Sequence, residues 1–117
     1  MRNSKTISPR KVSKTKLESV ISSVLTEEGV PAERKGYHYL AYAIELAYRD
    51  TEMAGAVSKE LYPAVAEAFS TSPAAVERSM RTAIACGRAR RGKEGSKTNS
   101  AFIFRAVEQV KIRLDQR

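Results

Sequence analysis

The chain has 117 residues, enough for one domain, and its hydrophobic content of 42% is sufficient for a folded core. No apolar run approaches the roughly 20 residues needed to cross a bilayer. A secretory signal would require an apolar stretch after the basic N-terminus, and the sequence has none there. The single Cys86 excludes an internal disulfide and a cysteine-cluster metal site, so the composition favours a cytoplasmic protein.

The net charge of +8 is unevenly distributed along the chain. Residues 1–16 carry 6 basic and 0 acidic side chains, residues 17–70 carry 4 and 9, and residues 71–117 carry 11 and 4. Two basic ends that flank an acidic middle favour a polyanionic partner. The alternative is a surface charge that serves only solubility.

The first predicted elements are a basic arm and two long helices. Residues 1–15 lack apolar periodicity and are expected to form a flexible arm before a helical domain at 16–117. The first helix starts at Thr15 as its N-cap and ends at Gly29, and its predicted buried stripe is Leu17, Val20, Ile21, Val24 and Leu25. The second helix, at about 36–50, is predicted to bury Tyr37, Leu40, Ala41, Ile44, Ala47 and Tyr48.

Shorter helices are predicted in the middle of the chain. A helix at about 53–60 precedes Pro63, which suits the first turn of another helix at about 63–69. That second short helix is predicted to bury Val65, Ala66 and Phe69. Ser72 as N-cap and Pro73 at the first helical position then predict a long helix at about 73–89, with the buried stripe Val76, Met80, Ala83, Ile84 and Gly87.

The C-terminal part is predicted as a basic loop and one more helix. The loop, residues 88–97, is followed by a helix at about 100–115, capped by Thr98 or Asn99. The inward side chains of this last helix are predicted to be Phe102, Ile103, Ala106, Val107, Val110 and Leu114. No window alternates like a half-buried strand, so the predicted fold class is all-α, a compact bundle of five or six helices.

The short and long helices at about 63–89 have the layout of a helix–turn–helix, whose second helix enters the major groove of DNA. Arg78 lies one turn inside that second helix, where a guanidinium can donate two bonds to guanine. The neighbouring Glu77 carboxylate can accept a bond from a cytosine amino group. The alternative is a generic two-helix corner whose exposed side chains are simply solvated.

Several motifs in the sequence match one family of DNA-binding domains. The matching residues are Gly29-Val30-Pro31-Ala32, Lys35-Gly36-Tyr37, Tyr39-Leu40, Ala43-Ile44, Leu61-Tyr62-Pro63, Ala66, Phe69, Val76-Glu77-Arg78, Arg81, Ala83-Ile84, Thr98-Asn99-Ser100 and Phe102-Ile103. On these residues the chain resembles the C-terminal DNA-binding effector domain of the response regulator that initiates sporulation. The resemblance implies a six-helix domain that binds promoter DNA, with Glu77 and Arg78 reading bases.

Double-stranded DNA is therefore the expected partner, and further residues are expected to contact its phosphates. These residues are Ser72, Arg81, Thr82, Arg88, Arg90, Arg91, Lys93 and Lys97. The resemblance also leaves open a homodimer on tandem sites. No membrane partner is expected.

The chain departs from the family's pattern in three places. Ala74 and Ala75 stand where the family has polar or basic residues, so we expect fewer phosphate contacts there. The short basic run at 88–97 replaces a longer apolar loop that engages the sigma subunit, which argues against a contact with RNA polymerase. Residues 1–15 are too few for a receiver domain, so we expect either a stand-alone relative or a trimmed chain.

No catalytic, cofactor or metal site is predicted. His38 has no second histidine or nearby thiolate, and Cys86 lies near the buried face of the long helix, so packing or surface roles are expected for both. The five tyrosines have helical spacing, which favours core packing over base stacking. The chain contains no glycine-rich phosphate loop, catalytic triad order or metal-ligand spacing, and it is not expected to be an enzyme.

Two other functions remain compatible with the sequence. The first is a protein-interaction module that has kept the fold, lost specific DNA reading and modulates a related regulator, which the alanines at 74 and 75 would fit. The second is RNA binding. The salt dependence of binding to duplex DNA separates the first from a DNA-binding protein, and competition with single strands tests the second.

Overall fold

The structure is a computed structural model that describes residues 13–93 and 97–115. All regular elements within these residues are helical, which confirms the predicted all-α class. In chain order they are α1 (Lys14–Glu27), α2 (Lys35–Arg49), α3 (Thr51–Ala54), a π-helical turn (Val57–Leu61), α4 (Tyr62–Ala68), α5 (Pro73–Arg90) and α6 (Asn99–Asp115). Most of the predicted basic arm, residues 1–12, lies outside the described residues.

Helix α1 begins slightly earlier than predicted. The Ser13 hydroxyl accepts a hydrogen bond from the Lys16 backbone N–H at 3.1 Å, so Ser13 and not Thr15 is the N-cap. Both residues carry a hydroxyl, and the apolar stripe that follows does not distinguish them. The helix ends where predicted, since Gly29 has a φ of +79°. Four predicted core residues of α1 are buried, and Val20 is partly buried.

Helix α2 lies at the centre of the bundle and packs against α1, α4, α5 and α6. Its buried face is wider than the predicted stripe and includes Tyr39 and Ala43, whereas Tyr37 and Ala41 are only partly buried. The prediction of those two positions as core is therefore confirmed only in part, since both pack against the core but stay partly exposed. At the edge of this face, the hydroxyls of Tyr37 and Ser22 share a hydrogen bond of 2.9 Å.

The single helix predicted at 53–60 is two separate elements in the structure. Asp50 ends α2 and caps α3, because its Oδ1 accepts from the Glu52 N–H at 3.0 Å. Gly55 then ends α3 after one turn, and the π-helical turn leads directly into α4. Glycine is a poor helix former, which gives a physical reason for the break.

Helix α4 and the turn after it correct a second prediction. Val65 and Ala66 are buried as expected, but Phe69 is 41% exposed. Phe69 follows the last residue of α4, so it lies in the turn and not on the inner face. Its ring packs edge-to-face on Tyr39 and Tyr42, with centroid distances of 5.1 and 5.9 Å.

The turn after α4 contains a strained residue. Ser70 has a φ of +56°, and it is the only non-glycine residue with a positive φ among those described. The N–H groups of Ser70 and Thr71 bond to the carbonyls of Glu67 and Ala66 at 3.4 and 2.9 Å, which is the Schellman pattern of a helix end. An L-residue in this conformation costs about 1–2 kcal/mol, and glycine avoids that cost.

A Ser70→Gly variant is therefore expected to raise the free energy of unfolding by about 1 kcal/mol. Urea unfolding followed by circular dichroism measures the change. Ser23→Gly is the matched control, because Ser23 is exposed within α1, where glycine should destabilise the helix by about 0.5 kcal/mol. Equal effects of the two substitutions would contradict the assignment of strain to Ser70.

Helices α5 and α6 follow their predictions closely. The stripe Val76, Met80, Ala83, Ile84 and Gly87 is buried in α5 as predicted. Helix α5 extends to Arg90. The prediction that Arg88 and Arg90 belong to the basic loop was therefore wrong, because the helix continues past residue 89 up to the turn before Gly92. Thr98 caps α6 through a bond of 3.1 Å from the Ala101 N–H, and the predicted inward residues of α6 are buried except Leu114, which is partly buried.

Two ion pairs join the end of α1 to later helices. Arg113 of α6 donates two hydrogen bonds to the Glu27 carboxylate, at 3.0 and 2.5 Å, and this contact holds the pKa of Glu27 below its usual value. Arg91 pairs with Glu28 at 2.7 Å. These contacts hold the C-terminal end of α5 and the end of α6 against the α1–α2 turn.

Among the described residues, no helix is both long enough and apolar enough to cross a membrane.

Candidate nucleic-acid interface

Helices α4 and α5 form a compact pair joined by residues 69–72. Ser72 caps α5 as predicted: its Oγ accepts from the Ala75 N–H at 3.1 Å, and Pro73 occupies the first helical position. The capping bond leaves the hydroxyl proton of Ser72 available for donation. Ala74 is exposed and Ala75 partly exposed, so small side chains cover the first turn of the helix.

The outer face of α5 is the surface opposite its buried stripe. Arg78, Arg81 and Thr82 are exposed there, and Glu77 is partly buried beside them. This face and the core face share one helix because residues three and four positions apart align along it. The structure therefore brings Ser72, Glu77, Arg78, Arg81 and Thr82 to the N-terminal two-thirds of α5, as the sequence predicted.

Glu77 and Arg81 form an ion pair within the outer face. They are four positions apart, a spacing that lets side chains on a helix meet. Arg81 is thus directed along the helix toward Glu77. Arg78 forms no ion pair with any described residue, so its guanidinium is available to a ligand.

Two cations that were not predicted as DNA contacts lie next to Arg78. Arg34 and Lys35, at the start of α2, are exposed and line one open groove together with Arg78, Ser79 and Thr82. Glu33 also lines this groove, which leaves an excess of positive charge. Neither Arg34 nor Lys35 forms an ion pair among the described residues.

Gly36 explains why these cations lie beside α5. A Cβ built on Gly36 would overlap the Ser79 carbonyl oxygen and lie 2.6 Å from the Ala83 Cβ. The backbone of α2 therefore approaches α5 at a distance that only glycine permits. In the sequence, the pair Lys35-Gly36 is the feature that could have indicated this groove. A glycine near the start of a helix permits a close approach to another element, and the cation beside it is then brought close to that element as well.

The remaining predicted phosphate contacts lie at the other end of α5. Arg90 is about 18 Å along the helix from Arg78 and donates to the Gly29 carbonyl at 3.3 Å. Arg91 is paired with Glu28, Arg88 is partly buried, and Lys93 is exposed. The structure thus separates these cations from Arg78 and directs two of them toward the α1–α2 turn.

Lys97 lies in a third location. It is partly buried and lines a small cavity between α1 and α6, together with Val24, Glu28, Phe102 and Arg105. Residues 94–96 of the predicted basic loop lie outside the described residues. Lys97 is therefore not on the outer face of α5.

Residues considered for other chemistry occupy ordinary positions. His38 is exposed, with its ring edge-to-face on Tyr37 at 5.2 Å, and Cys86 is partly buried. Tyr39, Tyr48 and Tyr62 are buried, as the core-packing interpretation expected. The described part of the chain contains no group of three or more side chains that could hold a metal ion.

A comparison with known protein families matches residues 21–109, about three quarters of the chain, to the family described as Sporulation initiation factor Spo0A C terminal. The matched range contains all of α2 to α5, including the outer face of α5 and the groove beside it. This is a family of helical DNA-binding domains and not of enzymes. The chain therefore belongs to the C-terminal family of the sporulation initiation factor Spo0A, the DNA-binding effector domain of a transcription regulator.

Proposed function

We propose that this protein is a sequence-specific regulator of transcription that places α5 in the major groove of double-stranded DNA. In this function α4 and α5 are the two helices of a helix–turn–helix, and α5 is the recognition helix. The observation that supports it most directly is the exposed Arg78 on the outer face of α5, which pairs with no described residue, with Arg34 and Lys35 lining the same groove.

Glu77 and Arg78 are the proposed base contacts. The Arg78 guanidinium has the planar fork that donates two bonds to O6 and N7 of guanine, and the Glu77 carboxylate accepts from a cytosine amino group. Arg81, which pairs with Glu77, offsets the repulsion between that carboxylate and the phosphates. Glu77 and Arg78 would thus read bases, and Arg81 would hold the Glu77 carboxylate near the DNA.

Phosphate contacts would come from both sides of the recognition helix. The Ser72 and Thr82 hydroxyls, the Arg81 guanidinium and the cations Arg34 and Lys35 all lie near the outer face of α5. A second group of cations, farther from Arg78, would attract DNA over a longer range: Arg88, Arg90, Arg91, Lys93 and Lys97. Phosphate contacts fix the position of a protein on DNA, and base contacts supply the sequence preference.

The proposed setting is the cytoplasm, and two copies could bind tandem sites as a homodimer. The predicted absence of a contact with RNA polymerase stays a prediction. Neither the dimer nor the polymerase contact is needed for one domain to read its own site.

The function is tested by selecting bound fragments from random duplex DNA and then titrating the selected and a scrambled duplex at several salt concentrations. We expect one enriched sequence and a slope of log K against log salt of about −4, as for four to five neutralised phosphates. No enrichment with a slope near zero would contradict DNA binding and favour a protein-interaction module. A preference for single-stranded or structured RNA in competition would favour RNA binding.

Replacing Arg34 and Lys35 by alanine in one variant is expected to weaken binding to the selected and the scrambled duplex alike. Each lost phosphate contact should reduce the magnitude of the salt slope by about 1, so the slope of the double variant should be smaller in magnitude by about 2. Arg49→Ala is the matched control, because Arg49 lies at the other end of α2, about 21 Å from Lys35. If the control reduced the slope as much as the double variant, the groove would not be a phosphate site.

A further inference from the structure

Asn99 is the one buried polar side chain among the described residues, with 6% of its surface exposed. It lies at the start of α6 and reaches both helices of the proposed helix–turn–helix. Its Nδ2 donates to the Tyr62 hydroxyl of α4 at 3.0 Å and to the Glu77 backbone carbonyl of α5 at 2.9 Å. A single amide group therefore joins three helices at the level of the proposed base contacts.

The hydrogen bonds of Asn99 are incomplete, which bears on its role. Its Oδ1 is buried and accepts no hydrogen bond from any described residue. A buried polar atom without a partner destabilises a fold, and an apolar side chain of similar volume would avoid that cost. Stability alone therefore does not account for an asparagine here, whereas the directional bonds of Nδ2 fix the positions of the groups they join.

The position of the Glu77 carbonyl gives those bonds a consequence for DNA. Glu77 directly precedes Arg78 in the second turn of α5, so a bond to its carbonyl restrains the backbone that carries both proposed base contacts. Thr98 caps α6 and so holds the backbone of Asn99 itself in place. A displacement of about 1 Å is enough to weaken directional contacts at a binding site.

We propose that Asn99 is a positioning residue that holds α5 at the depth and rotation that Arg78 and Glu77 need to reach base edges. This role rests on the proposed function of α5. Asn99 itself touches no DNA, and its removal lowers sequence discrimination while the attraction between cations and phosphates persists.

The test compares a Tyr62→Phe variant with a variant that carries both Tyr62→Phe and Asn99→Leu. Tyr62→Phe removes one acceptor and retains the bond to Glu77, so the ratio of affinities for selected and scrambled duplex should change less than about 2-fold. In the double variant the side chains at positions 62 and 99 are both apolar, and the Glu77 carbonyl loses its bond from residue 99. Its ratio should fall by roughly 10-fold, within the range that one bidentate base contact supplies.

Three further quantities separate positioning from a merely structural role. In the double variant we expect values close to those of Tyr62→Phe for the affinity for scrambled duplex, for the salt slope of that affinity and for the midpoint of thermal unfolding. A double variant with an unchanged affinity ratio would overturn the proposal, and so would a parallel loss of both affinities with a lower unfolding midpoint. If the double variant does not fold, the Asn99→Ser variant is measured instead, since water can solvate the serine hydroxyl. The same fall in the ratio of affinities for selected and scrambled duplex is expected.

Arg78→Ala distinguishes the failure of this inference from the failure of the proposed function. If Arg78→Ala abolishes discrimination and the loss of Asn99 does not, α5 reads DNA without the help of Asn99. If neither variant changes discrimination, Arg78 reads no base, and the proposed base contact fails together with its positioning by Asn99. Both measurements use the same selected and scrambled duplexes.

Discussion

A Gly36→Ala variant is expected to lose about 3 kcal/mol of unfolding free energy or more, the upper end of the cost of overpacking a core. The added methyl group would overlap the Ser79 carbonyl oxygen and approach the Ala83 Cβ. Neither neighbour can rotate away, because one is backbone and the other is a side chain of a single carbon. Helices α2 and α5 would have to separate, and their contact is the most extensive between two helices in the described part of the bundle.

Urea unfolding followed by circular dichroism measures this loss. The loss would be a large fraction of the roughly 5–15 kcal/mol that is usual for a whole domain, so a clearly lower unfolding midpoint is expected. Gly55→Ala is the matched control, since a Cβ there meets only the Glu52 carbonyl oxygen, at 3.8 Å. The control should be neutral or slightly stabilising. Equal unfolding midpoints for the two variants would contradict the close approach of α2 to α5.

Features of the fold that depend only on the residues of a single helix could be predicted from the sequence. The buried stripe of α5 and the Ser72 cap follow from periodicity and from one hydroxyl next to Pro73. The buried face of α2 could not be predicted in the same way. Tyr37 and Tyr39 have the same side chain, and which of them is buried depends on how several other helices surround α2.

Turns caused the other errors of prediction. Phe69 reads as a core residue in the sequence, but the chain leaves α4 at Ala68, and Ser70 then adopts a positive φ that its residue type does not indicate. Gly55 falls inside the helix predicted at 53–60, although it ends α3. In both cases a local break in the helix changed which side chains reach the core.

In the candidate site, too, features that depend on one helix could be predicted, and features that depend on contacts between helices could not. The exposure of Arg78 could be predicted, because one helix decides it. The approach of Arg34 and Lys35 could not, since a contact between two helices brings them to the groove. The contacts of Arg90 with Gly29 and of Arg91 with Glu28 join residues more than 60 positions apart. The sequence showed these two arginines only as part of a basic run, so their contacts could not be predicted.

Arg78→Ala is expected to weaken binding to the selected duplex by about 1–3 kcal/mol, which is roughly 5- to 150-fold. Binding to scrambled duplex should change much less, because most of the attraction to phosphates comes from other cations. The preference at one base pair should relax, and a second selection with the variant would show which one. Titration of both duplexes at one fixed salt concentration measures the two effects.

Two further variants show whether Arg78 acts through its shape or only through its charge. Arg78→Lys keeps the charge but loses the planar fork, so it should retain most of the affinity for scrambled duplex and lose most of the discrimination. Lys93→Ala removes an exposed cation at the far end of α5 and should weaken binding to all sequences alike. If Arg78→Lys discriminated as well as the unmodified protein, Arg78 would be a phosphate contact, and specificity would have to come from Glu77 or from the shape of the DNA.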